Sequence, residues 1–197
     1  MTPAFSKFME QFRSTGSDKA QGYDESHFVG LSEEEKIIVF SCLERELTAP
    51  GVIGWLFLLD ENKAQSALQD YLNSNHKPFS GLHRILIGLY VYSKDERFLD
   101  DFEYYFSQFY EWERDEAVQL YASYVQSEQR KSKFFKKVIL DEKDPDALSS
   151  AADFYLRLVG VPVGAPDERA HFFRVRKLLE SRDMNEKREG FRLVGAL

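Results

Sequence analysis

The sequence predicts an all-α protein, and three observations carry the prediction. Neither glycine nor proline occurs between Gly88 and Pro145, whereas a chain of β-hairpins needs turn residues roughly every ten positions. Leucine occurs 21 times, against six isoleucines and three threonines. That balance favours helices over strands. Helix-start signals also recur along the whole chain.

Taken in order, these signals predict helices near 3–13, 33–47, 51–59, 61–73, 80–93, 95–109, 113–127, 130–141, 145–159, 166–181 and 184–195. Thr2-Pro3 places an N-cap before a proline at the first helical position. Ser32-Glu33-Glu34-Glu35 is a capping box whose acids also complement the helix dipole. Asp60 and Asp183 follow the pattern of N-caps, and Asp144-Pro145 and Ala165-Pro166 repeat the proline device. Gly160, with Pro162 just beyond it, suits a left-handed C-terminal residue. Residues 14–30 are polar and contain glycine, and are expected to form a mobile link. The expected organisation is therefore an N-terminal helix with a mobile polar linker over 1–30 and one helical domain over 31–197.

Composition sets outer limits. With 197 residues and 23.0 kDa the chain is one domain or two small ones. The formal net charge of −7 argues against a nucleic-acid binder, whose affinity comes from neutralising phosphates. No apolar run approaches the ~20 residues that span a bilayer. The segment from Met1 to Arg13 lacks the features of a secretory signal. The expectation is a cytoplasmic protein with no membrane association.

The chemistry-bearing residues are sparse. His27, His76, His83 and His171 form no metal-ligand spacing. The single cysteine, Cys42, lies in an apolar run and reads as a small buried hydrophobe. The loop Val159 to Pro166 contains GVPVG but has no lysine or serine to handle phosphate, so it reads as a helix linker. No catalytic residue, metal or cofactor is expected.

One segment stands out. Eight of the 15 residues from Phe98 to Trp112 are aromatic. At helical spacing Phe98, Leu99, Phe102, Tyr105, Phe106 and Phe109 share a face about 120° wide, the core stripe of an amphipathic helix. The opposite face carries Asp100, Asp101, Glu103, Tyr104 and Glu111. Residues 95–116 hold nine acids against two bases, an excess equal to that of the entire chain. Residues 130–143 are by contrast basic, with Arg130, Lys131, Lys133, Lys136, Lys137 and Lys143. The candidate partner-binding set is Asp100, Asp101, Glu103, Tyr104, Tyr110, Glu111, Trp112, Glu113, Asp115 and Glu116. Carboxylates would steer a basic protein partner in, and the aromatics would anchor it.

Apolar helix ends followed by an aspartate-bearing turn recur at Asp60, Asp95, Asp144 and Asp183, spaced 35, 49 and 39 residues apart. Such periods belong to helical-pair repeats. The last copy, with Asp183 in the turn and Arg188 in the next helix, resembles a HEAT-type unit. The fold expected is a short HEAT-like α-solenoid of antiparallel helical hairpins, with a compact irregular helical bundle as the alternative. The hairpin layout from Ser32 to Leu197 and the acidic, aromatic segment 98–116 resemble bacterial immunity proteins. That resemblance implies a stoichiometric inhibitor of a toxin delivered by contact-dependent or type VI secretion, with a basic toxin domain as a natural match. Two other readings stay open. One is a nucleic-acid-interacting HEAT-like protein using the basic residues of 130–137 and Arg169 to Arg192. The other is a scaffold or regulator of the cell's own machinery.

Overall fold

A computed structural model describes residues 1–75 and 78–195. One of the four histidines, His76, lies outside the described residues. Among these residues twelve α-helices and no strand occur. They are α1 (Pro3–Arg13), α2 (Gly16–Ala20), α3 (Glu33–Glu44), α4 (Val52–Leu59), α5 (Glu61–Ser74), α6 (Leu82–Ser93), α7 (Arg97–Tyr105), α8 (Glu111–Tyr124), α9 (Glu128–Asp141), α10 (Pro145–Leu158), α11 (Pro166–Leu179) and α12 (Met184–Leu193).

The helix starts follow the chemistry of the caps. The Thr2 hydroxyl accepts from Phe5 N–H, and Ser32 and Glu35 form the reciprocal capping box. Asp60, Asp144 and Asp183 accept from the first-turn amides of α5, α10 and α12. At α11 the work is done by Glu168, whose carboxylate accepts from the Gly164 and Ala165 amides at 2.9 and 2.8 Å. Gly160, after α10, has φ +78°, the left-handed conformation that glycine adopts without penalty.

The chain divides into two compact units, Met1–Asp100 and Asp101–Leu197, with the border inside α7. The expected division at residue 30 is not where the contacts separate. Residues 14–30, expected as a mobile link, carry α2 and a 3-10 turn over Glu25–His27. They also bury His27 and Phe28. The reason is aromatic packing. Phe8 of α1 stacks on Tyr23 at 5.1 Å, and Phe28 stacks on Trp55 of α4 at 4.3 Å. Glu35 of α3 ties down the start of α1, accepting from the Thr2 amide and hydroxyl, each at 2.7 Å. The rest of this unit is built around α4, whose Val52, Ile53, Leu56 and Phe57 are buried. It packs against α3, α5 and α6. Cys42 is half-buried instead of fully buried, and burial pushes its thiol pKa up.

In the second unit α10 packs on α8, α9 and α11, and α12 packs on α11 and α9. Its aromatic centre joins Phe102, Phe106, Phe109, Tyr121 and Phe134, with Tyr121 stacked on Phe134 at 3.9 Å. Arg188, read from the sequence as the helix-interior base of a HEAT-type unit, is exposed. The neighbouring Lys187 is buried and donates to the Ile139 carbonyl in the last turn of α9. A cation there satisfies a carbonyl at the negative end of a helix. Burial lowers the Lys187 pKa.

Candidate functional site

The predicted helix over 95–109 breaks at Tyr105. A 3-10 turn over Phe106–Gln108 follows, Phe109 and Tyr110 are extended, and α8 begins at Glu111. Arg114 supports the break. Its guanidinium donates to the Ser107 and Phe109 carbonyls at 2.9 and 3.0 Å and pairs with Glu142 at 3.0 Å. The carbonyls that a continuing helix would have used are satisfied by a side chain instead. Phe109 therefore enters the core from the turn, with its ring 5.3 Å from Phe102. Phe102, Phe106 and Leu99 are buried as the helical phase requires, but Phe98 and Tyr105 are only half-buried. The narrower stripe reflects the shorter helix.

The ten candidate residues differ in how far they reach solvent. Tyr104, Tyr110 and Trp112 are 67%, 42% and 76% exposed. Glu111 is exposed between the last two. The rings of Tyr110 and Trp112 stack at 4.7 Å with an interplanar angle of 3°. The tyrosine in the extended turn and the tryptophan in the first turn of α8 are thus held together facing solvent. Tyr104 meets the edge of Tyr105, with ring centroids 4.9 Å apart. Asp101 is partly exposed. Asp100 is exposed and is the last residue of the first unit.

Four acids depart from the expected solvent-facing role. Glu103 is half-buried: its carboxylate accepts from the buried Tyr121 hydroxyl and from Arg130 Nε at 2.6 Å. Lys137 approaches the Glu103 backbone carbonyl at 3.4 Å. Burial, and then the bond to Glu103, push the Tyr121 hydroxyl far above its ordinary pKa. Glu113 is buried in the first turn of α8. Asp115 is half-buried and accepts from Ser150 of α10 and from Gln119. Glu116 is also half-buried. The acids of 101–116 and the bases of α9, separated along the chain, are in part joined by folding.

These pairings are not legible in the sequence, because Glu103 and Arg130 are 27 residues apart. Nor does the sequence single out Lys187 as a buried base. Among the described residues, no three His, Cys, Asp or Glu side chains converge as a metal-ligand set, and no helix is long and apolar enough to cross a membrane. Compared with protein-family models, with curated proteins and with solved structures, the chain shows no match to any.

Proposed function

We propose that this chain is a non-catalytic protein-binding module that docks a basic partner through Tyr110, Glu111 and Trp112. Tyr104 and Asp101 of α7 supply further contacts. The observation that carries the proposal is the stacked, solvent-facing Tyr110–Trp112 pair. Two large rings already held in one orientation lose little conformational freedom on binding. Tyrosine and tryptophan are also the residues most enriched among interface hot spots. Glu111 between them favours an arginine- or lysine-bearing surface, because a cation gains from both the carboxylate and the ring faces.

The resemblance to immunity proteins supplies the class of partner: a basic toxin domain, neutralised stoichiometrically in the cytoplasm. The succession of helical hairpins is read as a short HEAT-like solenoid. The packing of α8 on α10 and of α4 on α6, each a next-but-one neighbour, supports this.

The test is capture of the partner from the native cell by immobilised protein, followed by binding kinetics. Trp112→Ala and Tyr110→Ala are expected to speed dissociation, by about 2 kcal/mol or more for a hot spot. Glu111→Gln with Asp101→Asn is expected to slow association and flatten its salt dependence. A captured partner whose rates are unchanged in both sets docks elsewhere, and the proposal fails. Catalytic turnover by this chain on the captured partner would also overturn it.

A further inference from the structure

The first unit carries an open groove of about 510 Å³ between α3 and α5, unrelated to the aromatic surface of the second unit. α4 packs against both helices and so holds them apart as two walls. The lining follows helical spacing on each side, with Ile37, Phe40 and Glu44 on α3 and Lys63, Ala67 and Asp70 on α5. Ile37 is 60% exposed. A single exposed isoleucine needs no explanation. Here, however, it lines a recess together with Phe40 and Ala67.

The charges of the groove are arranged unequally. At the end where α3 and α5 begin, the bases are neutralised locally: Lys36 pairs with Glu33 at 2.7 Å and Lys63 with Asp60 at 3.3 Å. A smaller hollow lined by Glu33, Lys36, Leu59 and Asp60 continues the groove there. At the other end lie Glu44 and Asp70, both exposed, and neither has an ion pair among the described residues. Both helices run toward that end, so their partial negative charges add to the two carboxylates. The groove thus carries an apolar patch of Ile37, Phe40 and Ala67 among Ser41, Asn62 and Ser66, and is neutral at one end and anionic at the other.

We infer that this groove docks an amphipathic helix of a protein partner, with apolar residues at i, i+3 or i+4 and i+7 over the Ile37, Phe40 and Ala67 patch and lysines or arginines at the Glu44–Asp70 end. Spaced apolar anchors in a groove between helices are a recurrent mode of helix recognition. The positive N-terminus of the bound helix belongs at the same anionic end, so its bases lie in its first two turns.

The probe is a fluorescein-labelled 16-residue peptide of helix-forming background, with leucines at i, i+4 and i+7 and three arginines in its first two turns. Fluorescence anisotropy is measured against the full chain. Saturable binding is expected, weakened at least tenfold by Ile37→Glu. Glu44→Gln with Asp70→Asn should weaken it about tenfold and remove most of its salt dependence. All three positions are exposed, and circular dichroism checks that each variant remains folded. A control peptide with glutamates in place of the arginines should not bind. Absence of binding by the arginine peptide, equal binding of both peptides, or binding indifferent to Ile37→Glu would overturn the inference. Trp112→Ala leaves the groove untouched, so peptide binding and the partner kinetics of the second unit succeed or fail separately.

Discussion

Replacing Glu103 by alanine separates a structural carboxylate from a docking one. Its carboxylate accepts from Tyr121, a fully buried residue of α8, and from Arg130 of α9. Removing it strands the Tyr121 hydroxyl, and an orphaned buried hydroxyl costs about 1–3 kcal/mol. The ion pair adds less. The side chains of Arg130 and Glu103 are 20% and 30% exposed, so solvent screening leaves about 0–1 kcal/mol. The expected loss for Glu103→Ala is therefore about 1–4 kcal/mol. Tyr121→Phe removes the group that would be stranded, at a cost of about 1 kcal/mol. The double variant should then be more stable than the sum of the singles implies, by about 1 kcal/mol or more. Urea unfolding followed by far-UV circular dichroism measures all four proteins, with the slopes compared to check that the unfolding transition is unchanged. Additive effects, or a loss under about 0.5 kcal/mol for Glu103→Ala, would mean that Glu103 is a solvated surface acid after all.

Two further outcomes follow from the packing. Burial raises the Glu35 pKa, but the bonds from the Thr2 hydroxyl and amide and from the Ser32 amide outweigh it, and the net shift is downward. A depressed carboxylate stabilises the fold above its unfolded pKa of about 4.3, and that contribution is lost as pH falls through the folded value. Glu35→Gln should therefore melt below the parent protein at neutral pH, with the gap closing in acid; a gap independent of pH would refute this. A Cβ on Gly190 of α12 would lie 2.8 Å from Leu179 Cδ2 and 3.3 Å from Leu178 Cβ. Gly190→Ala gains about 1 kcal/mol of helix propensity but overpacks the α11–α12 contact by roughly 1–3 kcal/mol. Its thermal midpoint should fall, and a raised midpoint would show that Leu179 repacks freely.

What the sequence determined is the set of helices apart from the short α2, because the signals for a helix are local. Thr2, Ser32, Asp60, Asp144 and Asp183 each sit within three residues of the amide they cap. Leu99, Phe102 and Phe106 recur at the spacing of one buried face. Local spacing also identified Tyr104 as an exposed aromatic among acids. Even the groove left a trace: Ile37-Ile38-Val39-Phe40 is too long an apolar run for one helix face, so some of it had to point outward.

Only the tertiary structure decided which acids remained available. Helical phase says which way a side chain points, but not which other helix occupies that space. Glu103 and Asp115 have the composition of a solvated face, and each was claimed by a residue from another helix, Arg130 and Ser150. Arg114, counted among the few bases of the acidic segment, became the clasp that ends one helix before the next. The same limit hid Lys187 as the buried base of α12, because the Ile139 carbonyl that selects it lies 48 residues away. It also hid the groove, whose walls are adjacent only because α4 packs against both. Hydrogen bonds and ion pairs between distant segments depend on which helices meet, and that is fixed by the packing of the whole unit.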